Sequence, residues 1–370
     1  MQDKPAESAA PSASSSSGAP AAGGHAAWDP AWSGLCPASG ATAPMPIRAS
    51  GAGTRFEPSA AAVWDGRVAI AGDKQVHLWW WRPGTSDVVD DPAWSFPLTQ
   101  GSSSASCCAQ QPGDWGDAIK RQKAAETCGD HAVALGSPLP WLKVEGAAST
   151  PHALYLGANM GFACQENNHV LRVERAGESP VPLPNVSRET VLQALGALDV
   201  RVEGVAMTAD GTTALIAARQ KNVGRGDALS MSVVLVDVAS GQARAVEITP
   251  PTGGTLNPAE LGLSDITVLS DGRVAITASK EMDQVGKRVV AGQAWVSTVG
   301  EPWKQPGASW SMGLLAEFTD HKPEAVVQLG PHCAAVLFDD DERYKAQNRA
   351  AGGGPEWDSS SAFLSYVAIP

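Results

Sequence analysis

The 370-residue chain contains no run of eighteen apolar residues, so nothing in it predicts a membrane-spanning helix. Positive charge is scarce: 27 Lys and Arg stand against 39 Asp and Glu, for a formal net charge of -12. Nucleic acid and anionic lipid both require clustered cations, and the deficit argues against both as partners. Zinc-type spacing is missing, since no C-x-x-C occurs and no cysteine pair precedes a histidine pair. The motifs G-x-S-x-G, G-x-x-x-x-G-K-[ST] and H-E-x-x-H are absent, as is a G-x-G-x-x-G placed between a strand and a helix. Nucleophile-elbow hydrolases, P-loop enzymes and dinucleotide enzymes are disfavoured accordingly.

What is present begins with an Ala, Ser, Gly and Pro-rich stretch over residues 1–27, the composition of a disordered linker. It has no basic n-region leading into an apolar h-region. Such a tail resembles the segment just after the lipid-bearing cysteine of a bacterial lipoprotein, which makes a lipid anchor on the native N-terminus a candidate; a disordered cytoplasmic tail is the alternative. Residues 28–370 read as one domain. The six cysteines, Cys36, Cys107, Cys108, Cys128, Cys164 and Cys333, are an even number and suit an exported, disulfide-bonded protein of the periplasm, outer membrane or extracellular space. Cys128 is a candidate partner for Cys107 or Cys108, and the connectivity stays open.

Five stretches share one pattern: "RFEPSAAAVWDGRVAIAGDK" from Arg55, "KVEGAASTPHALYLGANM" from Lys143, "RVEGVAMTADGTTALIAARQ" from Arg201, "GLSDITVLSDGRVAITASK" from Gly262 and "KPEAVVQLGPHCAAVLFDDD" from Lys322. Each runs from an acidic residue through a β-prone strand and a turn to a second apolar strand. Asp65-Gly66, Asp210-Gly211 and Asp271-Gly272 are dipeptides that favour two-residue hairpins. The acids Glu57, Glu145, Glu203, Asp265 and Glu324 are 88, 58, 62 and 59 residues apart. Intervals near sixty, β-hairpins and almost no helical periodicity predict an all-β β-propeller with five visible blade repeats. The long first interval holds a cysteine-bearing loop insertion at about 99–140, which leaves a sixth blade open. "RETVLQALGAL" reads as a connecting helix, and "AFLSYVAIP" as the strand that closes the ring.

In a propeller the start of each first strand meets the end of the second at one mouth of the central channel. This expectation puts Glu57 near Asp73, Glu145 near Asn159, Glu203 near Arg219, Asp265 near Ser279 and Lys280, and Glu324 near Asp339. Arg55, Lys143, Arg201 and Lys322 stand two positions before the glutamates, on the same side of the strand. Two readings stay open. The carboxylates could fasten neighbouring blades to one another, a role that repetition in every unit favours. They could instead form a ring for a hard divalent cation, with calcium as the candidate cofactor and Glu57, Glu145, Glu203, Asp265 and Glu324 as candidate ligands. The unrepeated groups, Arg219, Asn159 and the acidic run from Asp339, mark where function would break the symmetry. The histidines show no ligand spacing, and the tryptophans most simply fill the core.

On "EPSAAAVWDGRVAIAGDK", "VEGVAMTADGTTALIAARQ", "LSDITVLSDGRVAIT" and "KPEAVVQLG", the chain resembles the esterase-like domain of phytase family and related exported propeller families from Arg55 to Asp341. It departs from their blade-start signature at Pro58 and Ala325. The resemblance implies a propeller and an exported location, while the channel-mouth residues leave two functional classes open: a module binding a small ligand or protein partner at the channel mouth and loops, or a metal-assisted phosphoesterase or carboxylesterase.

Overall fold

The computed structural model describes residues 28–50, 56–72, 78–90, 144–158, 169–175, 178, 180–198, 200–221, 229–284, 287–307, 309–339 and 361–370. Their strands fall into five four-stranded antiparallel units. Strands β2 (Pro58–Trp64), β3 (Arg67–Gly72), β4 (Trp79–Trp81) and β5 (Asp87–Asp90) form the first, and β6 (Val144–Thr150), β7 (Ala153–Ala158), β8 (His169–Val173) and β9 (Val181–Ser187) the second. The third comprises β10 (Val200–Met207), β11 (Thr213–Lys221), β12 (Leu229–Asp237) and β13 (Ala243–Thr249); the fourth comprises β14 (Gly262–Val268), β15 (Val274–Gln284), β16 (Lys287–Ser297) and β17 (Ser309–Phe318). The fifth takes β18 (Pro323–Gly330), β19 (Cys333–Phe338) and β20 (Ser361–Ala368) from the C-terminal part and β1 (Met45–Ala49) from the N-terminal part. Met45 faces Leu364 and Arg48 faces Ser361, so an N-terminal strand and the C-terminal strand are tied in one sheet, as expected for "AFLSYVAIP".

The first strands touch in cyclic order, β2 on β6, β6 on β10, β10 on β14, β14 on β18 and β18 on β2. The architecture is therefore all-β and propeller-like, with apolar layers between successive sheets. Alternation along a strand produces those layers. Ala61 and Val63 of β2 pack towards β18 with Val327 and Leu329, whereas Ala60 and Ala62 pack towards β6 with Val144 and Ala147. Because both faces are covered, the first strands read as near-continuous apolar runs. Trp79, Trp81 and Trp295 are buried within the layers, the role expected of the tryptophans.

Neighbouring outer strands also pair. β1 joins β5, and β13 joins β17, each in parallel, so four of the five units merge into two eight-stranded sheets. The outer strand β9 carries Pro182 and Pro184, which withhold N–H donors from an incoming strand. The expected helix is α1 (Arg188–Leu195), capped by Ser187 Oγ accepting from Thr190 N and ended by Gly196 at φ 59°.

Turn chemistry departs from the sequence expectation in two of three places. Asp65-Gly66 is a two-residue hairpin turn with both residues at positive φ, 50° and 70°. Asp210-Gly211 and Asp271-Gly272 lie instead in the longer connections 208–212 and 269–273, where only the glycine has positive φ. Here the aspartate accepts from the backbone two residues on, Asp210 Oδ1 from Thr212 N at 3.1 Å and Asp271 Oδ1 from Arg273 N at 2.9 Å.

A disulfide joins Cys36 to Cys333 with Cα atoms 5.4 Å apart. Cys107, Cys108, Cys128, Cys164 and the insertion at about 99–140 lie outside the described residues. The crosslink fastens the segment before β1 to the start of β19. Replacing both cysteines with serine should lower unfolding stability by about 2–4 kcal/mol, from constraint lost in the unfolded chain. Urea denaturation under oxidising conditions measures it: the double variant should unfold at lower urea than the wild type, and equal midpoints count against the crosslink.

Candidate functional site

Each first strand carries a β-bulge near its start, and the bulges align the five units more reliably than the acidic residues do. The ladder skips Glu145 between Val144 and Gly146, Glu203 between Val202 and Gly204, and Glu324 between Pro323 and Ala325. In the first unit it skips Ser59, and in the fourth Ser264. The equivalent set is therefore Ser59, Glu145, Glu203, Ser264 and Glu324. Glu57 lies two residues before its bulge, and Asp265 directly follows its own, at the position of Gly146 and Gly204. The expected ring of five equivalent carboxylates is corrected to three glutamates and two serines. A bulge adds a residue to one strand only, so repeats aligned by acidic character slip against the backbone.

The residue after the bulge explains the Glu-Gly signature. A Cβ on Gly146 would lie 2.3 Å from Val205 N, and one on Gly204 would lie 2.7 Å from Asp265 Cα. Adjacent first strands approach too closely there for any side chain. In the fourth unit Asp265 takes the place and uses the proximity: its Oδ2 accepts from Val326 N of β18 at 2.9 Å. Ser59 Oγ donates to Val144 O at 2.5 Å, another link between neighbouring units.

Arg219, near the end of β11, is the centre of the cluster and is 5% exposed. Its Nη1 donates to Ser264 Oγ at 3.1 Å and lies 3.8 Å from Glu203 Oε2 and 3.7 Å from Glu324 Oε1. One guanidinium thus bridges three successive units. Gly262 makes room for its stem, since a Cβ there would lie 2.8 Å from Arg219 Cγ. Ser264 Oγ and Ser279 Oγ are 2.6 Å apart. Two of the expected basic–acidic neighbours do pair: Arg201 Nε with Glu203 Oε1, and Lys322 Nζ with Glu324 Oε1 at 2.8 Å. Asp339 Oδ2 lies 3.9 Å from Lys322 Nζ. Lys280 turns away to Glu260 Oε2 at 2.7 Å rather than joining Asp265. Glu57 and Glu145 are buried at the starts of their strands. Asp73, Asn159, Arg55, Lys143 and the acidic run after Asp339 lie outside the described residues.

Burial sets the protonation of this cluster. Asp265 is pushed well above the ordinary carboxylate range by burial, with the backbone N–H groups of Val326 and Ile266 opposing and the Glu324 charge reinforcing it. Burial also raises Glu324, against the pull of Lys322 and Arg219. Burial thus disfavours the charged form of Asp265, and Arg219 is shared between Glu203 and Glu324.

This donor set does not suit a calcium ion. Such a site needs several convergent ionised oxygens, whereas here Glu203 and Glu324 face cations and burial disfavours the charged form of Asp265. Among the described residues no group of three His, Cys, Asp or Glu side chains could hold a metal.

Sequence reasoning passed over Ser59, Ser264 and Glu317. The first two were hidden by the slip at the bulge. Burial pushes the Glu317 carboxyl up, but hydrogen bonds from Thr255, Leu256 and Gln293 outweigh it and hold the group at about 2. The side chain thereby fastens the connection before β14 onto β17, through Thr255 N and Leu256 N at 2.9 Å from Oε2. Its only sequence signal is a lone glutamate in an apolar strand.

A cavity of about 50 Å³ lies at the opposite end of the channel, lined by the late residues of all five first strands, including Val63, Ser149, Met207, Thr267 and Gln328. This opening is therefore remote from Arg219.

In overall shape the chain is similar to solved β-propeller-like proteins. One is hydrazine synthase of Kuenenia stuttgartiensis, 12% identical over 86% of this chain and 90% of that one, with a TM-score of 0.35. Another is the PQQ-bound aldose sugar dehydrogenase of Streptomyces coelicolor, 12% identical over 90% and 99%, with a TM-score of 0.40. A third is YCF48 bound to a D1 peptide, 6% identical over 90% and 99%, with a TM-score of 0.37. At these values they transfer no activity, cofactor or partner. No family model and no curated protein matches the chain, so the resemblance to the esterase-like domain of phytase family rests on the quoted motifs alone.

The raised Asp265 acidity has a definite sign. In the unfolded chain the group ionises near 3.9, and in the folded protein only at higher pH, so the unfolded state binds fewer protons between those values. Its contribution to stability is present below the unfolded pKa and falls as pH rises towards the folded one. Asp265→Asn keeps an oxygen for Val326 N and removes the titration. Relative to wild type the variant should gain up to about 1.4 kcal/mol for each pH unit above 4 within that window. Urea unfolding at pH 5, 6, 7 and 8 tests it, and a difference between the two proteins that does not change with pH counts against a raised Asp265.

Proposed function

We propose that this chain is an exported or surface-tethered five-bladed β-propeller that binds a small ligand or protein partner at the charged channel mouth and adjoining loops. Direct contact of β2 with β6 favours five blades, because it leaves no place between them for another first strand. The Cys36–Cys333 disulfide is consistent with export, and no helix among the described residues is long and apolar enough to cross a membrane.

The observation that carries the binding reading is how the charges divide at this mouth. Arg219 lies against Glu203, Ser264 and Glu324 of three successive units, Asp265 accepts from Val326 N, and these buried groups act as a fixed floor. Arg201 at 31% side-chain exposure, Asp339 at 19% and Lys322 at 11% border that floor and retain access to solvent. A rigid floor with accessible charges of both signs around it is an arrangement for holding a polar ligand. A hydrolase would need a carboxylate available as base or metal ligand, and Glu203 and Glu324 are paired with cations. The phosphoesterase or carboxylesterase reading draws no support from these two glutamates.

A thermal-shift screen of small anions, zwitterions and peptides tests the proposal. Binding should raise the melting temperature saturably, and the affinity should fall about tenfold in Arg201→Gln or Lys322→Gln, the loss of one charge-assisted hydrogen bond. Calcium and chelator should leave the melting temperature unchanged. Turnover of a generic phosphate or acetate ester that disappears in Glu203→Gln overturns the binding-only reading.

A further inference from the structure

A second cavity, of about 480 Å³, lies at the turns of the first unit, on the end of the ring remote from Arg219. It is bounded by Gly66 of the β2–β3 turn, by Arg82 and Thr85 of the β4–β5 turn, and by Asp29, which stands just before a 3₁₀ turn at Pro30–Leu35. Its size is that of a small-molecule site. The register across β3, β4 and β5 places Ala69, Trp80 and Val89 side by side on the face turned towards the second unit. The inner part of that face is covered, but Val89 at its outer edge is 49% exposed. Arg67 belongs to the same face, and its guanidinium lies over the Trp80 ring, 6.0 Å from the centroid.

The wall made by the β4–β5 turn is fixed by hydrogen bonds of its own. Arg82-Pro83-Gly84-Thr85 has the proline and the positive-φ glycine, at 87°, of a type II turn, closed by Thr85 N donating to Arg82 O at 3.2 Å. Trp81 Nε1 donates to Thr85 O at 3.0 Å, and Gly84 N donates to the Tyr366 hydroxyl at 2.9 Å, which ties the turn to the fifth unit. The charges around the cavity nevertheless do not neutralise one another. Arg82 and Asp87 are both exposed there, and neither makes an ion pair among the described residues. Asp29 uses Oδ1 to accept from Ala31 N at 3.0 Å and keeps Oδ2. Thr85 Oγ1 donates its proton to Arg82 O at 2.8 Å and is left as an acceptor.

Each group suits a different part of a ligand. Arg67 and Arg82 offer guanidinium N–H donors to a carboxylate. Asp29, Asp87 and Thr85 Oγ1 are acceptors at separate points of the wall, so they call for several separated donors, which a polyol has and a single ammonium does not. Val89 adds apolar surface for C–H groups. We propose that this cavity binds a sugar acid, a polyhydroxylated ring carrying a carboxylate, with Arg67 and Arg82 on the carboxylate and Asp29, Asp87 and Thr85 on the hydroxyls. The site is separate from the charged mouth, and it stands or falls independently of ligand binding there.

D-Glucuronate and D-glucose are the probes, since they differ only where the carboxylate is, each titrated into the full chain and followed by backbone amide NMR. Glucuronate should shift Gly66, Thr85 and Val89 saturably, and glucose should bind about tenfold more weakly, the loss of one charge-assisted hydrogen bond. Arg82→Gln should weaken glucuronate about tenfold and leave glucose unchanged, whereas Asp87→Ala should weaken both. Arg201→Gln, at the mouth, should alter neither. Arg82 and Asp87 are exposed, so both variants retain the fold. Equal affinity for the two sugars, glucuronate binding that ignores Arg82→Gln, or shifts confined to the mouth overturns the proposal, as does the absence of saturable shifts.

Discussion

The close approach of five strand backbones around one axis is the constraint on which the rest of this structure depends. Where β6 meets β10 and β10 meets β14, the backbones leave no room for a Cβ, and Gly146 and Gly204 are the consequence. Just before these contacts each strand bulges, and the extra residue supplies a side chain where the ladder is locally open. Glu145, Glu203 and Glu324 occupy three bulges, with Ser59 and Ser264 in the other two. Backbone proximity thus decides which positions must be small, and the bulge decides where polar groups gather.

Gathering carboxylates away from water is costly unless each is paired or neutralised. This cluster uses both means. Arg219 serves Glu203 and Glu324 at once and is itself positioned through Ser264, while Arg201 and Lys322 approach the same glutamates from the rim. Asp265, whose charged form burial disfavours, gives an oxygen to the next strand's backbone. Only Gly262 permits the arginine stem to reach across, so the asymmetry of the fourth unit is what makes the shared ion pair possible.

Much of the architecture was legible in the sequence. The Glu-Gly pairs, the Asp-Gly turns and the paired apolar runs located the first two strands of every unit, and "AFLSYVAIP" located the closing strand. Register was not legible, because an acidic residue at Glu57 or Asp265 looks like its counterparts although the bulge lies one or two positions away. Turn length was equally hidden: Asp65-Gly66 and Asp210-Gly211 are the same dipeptide, yet the hydrogen bonds of Thr208 and Thr212 to Asp210 favour a longer connection in the second case. The disulfide could not be chosen among six cysteines until the segment before β1 was seen against β19. Arg219 was singled out because it was not repeated, but its reach over three units depends on Gly262 and Ser264, which no motif marked.

A double-mutant cycle between Arg219→Met and Glu324→Gln, read as unfolding free energies from urea denaturation, tests most directly whether one guanidinium holds successive units together. The account predicts a coupling of about 2 kcal/mol or more, in the range of buried residues sharing one ion-pair network. A coupling within about 0.5 kcal/mol of zero, as found for independent sites, would contradict it.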